Sequence, residues 1–217
     1  NQSENQKIIR RMEAKFIIVL IPVLVLPWVV LFFIMMASNK KVVSNYNKLK
    51  EKYSLHSDFS KKVGMKHHPS AEGIYRNRNI KIESVVKDSV DGKKVIPHTV
   101  LSVDCANSDG FTFIAVRRNR KNAAEYQHGS VLVEDNEFDN KFILQSNNPD
   151  KLKRLFDFNT RFKLDQVHKL GFEGKISLNG NLLQYSEAGL LSSDEALMRT
   201  ELVMHELCDI AEVMRYN

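Results

Sequence analysis

His205, Glu206 and Asp209 are the residues whose types and spacing come nearest to a reactive group in this chain. Zinc hydrolases place two histidines at i and i+4 of a helix, with a glutamate between them as general base. Here the fifth position is Asp209, a carboxylate that can also bind zinc, and the sequence offers no evident third ligand. A helix through Met204, Leu207 and Cys208 turns its apolar stripe to a core, which leaves Glu206 and Asp209 expected toward solvent. The favoured reading is a solvated helix face, and a metal-dependent hydrolase stands behind it as an alternative.

The other candidates are weaker. His67 and His68, with His56, could share a metal, but adjacent histidines diverge and Lys66 to Pro69 reads as a loop. Phe138, Asp139 and Phe142 have a structural explanation: two rings reaching a core from either side of a bend, and a carboxylate bonding backbone N–H groups to tighten it. Arg76 and Arg78, with Arg117, Arg118 and Arg120, could form a basic patch for lipid phosphate or an acidic protein. Nucleic acid is not expected as a partner, because the nearby aromatics read as core rather than as a stacking platform. Cys105 and Cys208 each sit in an apolar run and are expected as buried free thiols. The chain contains no Walker loop, no Gly-x-Gly-x-x-Gly opening a helix, no Gly-x-Ser-x-Gly and no Cys-x-x-Cys. No cofactor and no catalytic residue is expected.

What would hold such residues is an α+β fold with a membrane anchor. The 217 residues carry a net charge of +6, yet Phe16 to Met36 contains no charged residue. At a rise of about 1.5 Å per residue this run matches a hydrocarbon core roughly 30 Å thick. It is longer than the apolar region of a cleaved signal peptide, so a retained transmembrane helix is expected. Pro22 and Pro27 interrupt it, and Trp28 lies in its interior instead of at an interface. Together with Phe32 they point to packing against other membrane helices, with a solitary kinked anchor as the alternative. Basic residues flank both ends, so the positive-inside rule does not orient it. The thiols and the basic surface favour a cytoplasmic domain at the cell membrane.

Four segments follow: a polar flank at 1–15, the transmembrane helix at 16–37, a juxtamembrane helix and linker at 38–64, and a soluble domain at 65–217. Within the domain, short alternating runs joined by turns predict an antiparallel sheet. Asp91-Gly92 and Asn179-Gly180-Asn181 read as hairpin turns. Asn148 and Pro149 open a helix, and a second one runs from about Asn159 to Leu170. The last helix opens on a capping box at Ser192 and Glu195 and packs an apolar stripe, Leu197 to Met214, on the sheet.

Four segments together resemble a loose group of bacterial membrane-anchored proteins of uncharacterised function. They are Leu49 to Leu55, Gly73-x-Tyr75-Arg76-x-Arg78, Glu137-Phe138-Asp139-x-x-Phe142, and Asn181-Leu182-Leu183-Gln184-Tyr185-x-x-x-Gly189. The resemblance covers most of residues 45–217 and implies an α+β domain on a membrane tether. It supplies no activity.

The function expected from all of this is a non-catalytic accessory or scaffold subunit of a membrane protein complex. Its partners are the lipid bilayer and other membrane subunits. A membrane-surface sensor binding anionic lipid through the arginines is the second reading.

Overall fold

The computed structural model describes residues 2–63, 66–88, 95–126 and 128–216. The chain divides into two compact units, Asn1–Lys40 and Lys41–Asn217. Helix α1, Gln2–Tyr53, contributes to both.

In the first unit, the helix continues through Pro22 and Pro27. Proline has no N–H, so the carbonyl one turn before Pro27 loses its intrahelical donor. From Val23 to Phe33 every large apolar side chain is exposed, Trp28 at 73%. Among the described residues this is the one helix long and apolar enough to cross a membrane.

The second unit is a mixed α+β domain. Its strands are β1 (His56–Asp58), β2 (Lys62–Val63), β3 (Lys66–His67), β4 (Ser70–Tyr75), β5 (Arg78–Asp88), β6 (Val95–Asp104) and β7 (Phe113–Arg117). Then come α2 (Arg120–Glu125), β8 (Ser130–Val131), α3 (Asn136–Lys141), β9 (Phe142–Ser146), α4 (Pro149–Leu155) and α5 (Phe158–Lys169). The hairpin β10 (Lys175–Asn179) and β11 (Leu182–Ala188) precedes the terminal helix α6 (Asp194–Tyr216). Nine strands form one antiparallel sheet in the order β1-β4-β5-β6-β11-β10-β7-β9-β8, and β2 and β3 pair separately. The expected turn at Asp91-Gly92 lies outside the described residues.

Register explains the two faces. One row across the sheet runs Ala71, Ile82, Leu101, Tyr185, Ile176, Ala115, Leu144. All seven are buried. The adjacent row is Lys81, Ser102, Gln184, Ser177, Ile114, Gln145. Because strand side chains alternate, the first row faces the helices and the second, mostly polar, faces away.

One face of residues 41–55 belongs to the core. Val42, Tyr46, Leu49, Tyr53 and Leu55 are buried, at the helical spacing visible in the sequence. Asn45 donates to the carbonyls of Leu191 and Ser193, both at 2.9 Å, fixing α1 to the loop before α6. The segment read as a fading linker instead begins the sheet, with Ser57 opposite Ala71. Lys66–His67 likewise forms a strand rather than a loop, paired with Lys62–Val63.

Candidate functional site

Helix α6 begins one residue later than the expected capping box. Ser193 Oγ accepts from the Ala196 N–H at 3.1 Å, satisfying one of the free donors of the first turn. From this start, His205 and Asp209 lie one above the other, and Glu206 is rotated about 100° toward α5.

His205 is held by two phenols. Its Nε2 lies 3.1 Å from the Tyr53 hydroxyl and its Nδ1 lies 3.0 Å from the Tyr75 hydroxyl. The three rings contact edge to face, with centroids 5.2 to 5.8 Å apart. A neutral imidazole has one donor and one acceptor, so one phenol donates to it and the other accepts. Burial, then the charges of Lys52 and Arg76, lower the His205 pKa and keep the ring neutral.

Glu206 corrects the sequence reading. It is 1% exposed, not directed to solvent. Neither of its oxygens accepts a hydrogen bond, and Lys163 Nζ of α5 lies 3.4 Å away. Burial pushes its pKa up to about 7. Lys163 also reaches Asp209 at 2.5 Å, and Asp209 pairs with Arg76 at 2.6 Å. Arg76 continues to Glu212 at 3.3 Å. Burial raises the Asp209 pKa, but Lys163 and Arg76 outweigh it and hold this carboxyl below its ordinary value. The result is one ion-pair chain, Glu206–Lys163–Asp209–Arg76–Glu212, across α5, α6 and the β4–β5 turn. Two cations lie between three carboxylates, of which Glu206 is the one that burial keeps closest to neutral, and both His205 nitrogens are engaged.

The Gly-x-Tyr-Arg-x-Arg segment is explained by the same contacts. A Cβ on Gly73 would stand 3.0 Å from Leu55 Cδ2 and 3.4 Å from Leu55 Cα. Tyr75 bonds His205. Arg76 and Asn77 form a two-residue turn with φ of 51° and 59°, the left-handed conformation of tight hairpins. Arg78 reaches the carbonyl of Asp104 at 3.4 Å. In the second motif, Phe138 and Phe142 stack with centroids 4.7 Å apart. Asp139 accepts from the N–H groups of Val133 at 3.2 Å and Asp135 at 3.3 Å, closing the loop that enters α3.

The arginines are distributed as follows. Register places Arg78 and Arg117 at opposite ends of the sheet, on the order of 20 Å apart along the strands. Arg117 pairs with Glu173, and Arg118 donates to the Asp139 carbonyl at 2.9 Å. Arg120 is exposed at the start of α2. Pro27, Trp28 and Phe32 lie on the apolar helix; the side chain of Pro22 lies outside the described ones. Cys105 and Cys208 are buried and unpaired, and burial pushes both thiols up to about 11. They are therefore protonated at neutral pH. His68 is buried with Nδ1 2.9 Å from Ser84 Oγ, while His56 is exposed on β1. Among the described residues no three His, Cys, Asp or Glu side chains converge to hold a metal ion.

A second buried polar group has no local signature. Glu187 of β11 accepts from Tyr185 Oη and from Arg199 Nε at 2.9 Å. It also accepts from the Glu173 N–H at 3.3 Å, and Arg199 donates to the Leu170 carbonyl at 2.6 Å. The group ties β11, α6 and the α5–β10 loop together. Two clefts of about 530 and 550 Å³ lie along the polar row of the sheet and include none of His205, Glu206 and Asp209.

No family model and no curated protein matches this chain. Among solved structures, the crystal structure of the mycobacterial trehalose monomycolate transport factor A, TtfA, is similar over 80% of this chain and 95% of that one. The TM-score is 0.48 and the identity 12%, a likeness too distant to assign a role.

Proposed function

We propose that this chain is a non-catalytic accessory or scaffold subunit of a membrane protein complex. A single span anchors it, and the α+β domain contacts other subunits at the membrane surface, on the cytoplasmic side. The observation that carries the reading is the wholly exposed apolar surface of Val23 to Phe33, interrupted by Pro27 and bearing Trp28 in its interior. A helix with a carbonyl freed by proline is stabilised when a neighbouring helix supplies a donor or shields it. Pro22, Pro27, Trp28 and Phe32 are the proposed packing positions. The domain agrees in kind: Glu201, His205 and Asp209 of α6 spend their bonding on holding α1, α5 and the β4–β5 turn.

Extraction of the full chain in a mild detergent, followed by native-size analysis, tests the reading. The expected result is a species larger than one chain in a micelle. A monomer under every extraction condition would sink it.

A further inference from the structure

Phe158 and Phe162 form an exposed aromatic pair on the surface of the domain. They sit one turn apart on α5, 75% and 55% exposed, with rings stacked at 6.4 Å and an interplanar angle of 20°. An exposed phenylalanine has no folding role, and two stacked together are the kind of aromatic anchor that dominates protein interfaces. Beside them opens a crevice of about 130 Å³ whose apolar wall includes Phe138, itself 4% exposed.

Three observations select the occupant. The crevice is far smaller than the roughly 300–1,000 Å³ of small-molecule sites, and suits one inserted side chain. The rim is charged in a layered way. Its cations point inward: Lys141 bridges Glu137 at 2.6 Å and Asp165 at 2.5 Å, and Arg161 pairs with Asp135 at 3.1 Å. Those two cations are 26% and 21% exposed, whereas Glu137 is 81% exposed, and Asp157 at the start of α5 is exposed as well. Lys169, 62% exposed, also pairs with Asp165 at 3.0 Å, so the rim is mixed at that point. The outward charges of Glu137 and Asp157 are carboxylates, and it is they that favour a basic protein segment over an anionic lipid surface.

From this we infer that Phe158 and Phe162 dock a protein segment that inserts one bulky aliphatic or aromatic side chain beside Phe138 and sets a lysine or arginine against Glu137 and Asp157. The inference rests on the reading of the chain as a subunit of a complex, and names where one partner is held.

The test uses the full chain in phosphatidylcholine nanodiscs and two fluorescent peptides. One is the amidated sequence Lys-Leu-Phe-Lys-Leu, the other its counterpart with glutamate for lysine. The parent protein binds the lysine peptide saturably, and the glutamate peptide at least about tenfold more weakly. Phe158→Ser with Phe162→Ser weakens the lysine peptide at least about tenfold, with an unchanged melting temperature because neither side chain is in the core. Glu137→Lys reverses the preference between peptides. Binding that ignores peptide charge, or that survives the double substitution, overturns the inference. So does an emission blue shift of Phe158→Trp, in a Trp28→Phe background, when one third of the lipid is replaced by phosphatidylglycerol, since the bilayer is then the occupant. Native-size analysis separates the two readings. A parent chain that assembles into the larger species but binds the two peptides alike, or neither, removes the docking role and keeps the subunit. A monomeric parent that still binds the peptide through the phenylalanines removes the subunit and keeps the surface.

Discussion

Tyr75 Oη and His205 Nδ1 lie 3.0 Å apart, although the two residues are separated by 130 positions in the chain. That contact joins the β4–β5 hairpin to α6, and the matching bond from Tyr53 joins α1 to the same imidazole. Replacing Tyr75 by Phe removes one hydrogen bond and leaves the ring packing, so a loss of about 1 kcal/mol is expected. His205→Ala removes both bonds and the ring contacts, and the loss rises to roughly 2–4 kcal/mol. Chemical denaturation of the full chain in detergent measures both. Equal effects from the two substitutions would mean that the imidazole does not link the three elements.

Glu206 makes stability fall as pH rises. Its carboxyl titrates near 4.5 when unfolded and at about 7 in the fold. Between those values the native state holds more protons than the unfolded state, so stability decreases with increasing pH across that window. The shift corresponds to about 3 kcal/mol of ionisation cost at pH 8. Glu206→Gln keeps the neutral shape, so it should be more stable than the parent at pH 8, with the difference vanishing below pH 5. Melting temperatures at pH 5 and pH 8 check it; a variant less stable than the parent at pH 8 contradicts the buried-carboxylate account.

Arg76 carries a left-handed backbone, φ 51°, for the sake of its side chain. Arginine and alanine pay a similar conformational cost there, roughly 1–2 kcal/mol relative to a favourable geometry, whereas glycine pays little. Arg76→Ala therefore reports only the ion pairs to Asp209 and Glu212, which are partly exposed and contribute about 1 kcal/mol or less. Arg76→Gly loses the same pairs and relieves the backbone. The glycine variant should be the more stable of the two, and the reverse order in a denaturation series would argue against strain at this turn.

Arg199 is the most sensitive position of the Tyr185–Glu187–Arg199 group. Its side chain is 14% exposed and that of Glu187 is 10% exposed. Arg199→Met leaves a buried carboxylate without its cation, with an expected loss of roughly 3–5 kcal/mol. The double variant Arg199→Met with Glu187→Gln recovers part of that loss. Failure of the second substitution to recover any stability would show that packing, not charge, makes Arg199 important.

Local signals made much of this fold readable. Asn148 and Pro149 begin α4, Asn179 to Asn181 turns the β10–β11 hairpin, and the apolar spacing of Leu197 to Met214 becomes the buried stripe of α6. The short helices α2 and α3 were not legible, because six residues show hardly two turns of periodicity. Nor was the burial of Glu206, since the element that covers it is α5 and the cation beside it is Lys163, 43 residues earlier in the sequence. The same holds for Tyr53 and Tyr75: a phenol reads as core, and only the folded chain shows that two of them meet one imidazole. The spacing of Phe158 and Phe162 could have drawn notice, as two rings one turn apart on the polar side of a helix.

Val42, Tyr46, Leu49 and Tyr53 lie inside the domain although they continue the helix that carries the apolar surface. The chain is therefore divisible at one place and not at the next. Whatever precedes Lys41 could be exchanged for a different tether while the fold survives, whereas cleavage after Tyr53 would strip these four apolar side chains, and the buried amide of Asn45, from the interior and liberate a collapsing remnant in place of a soluble module.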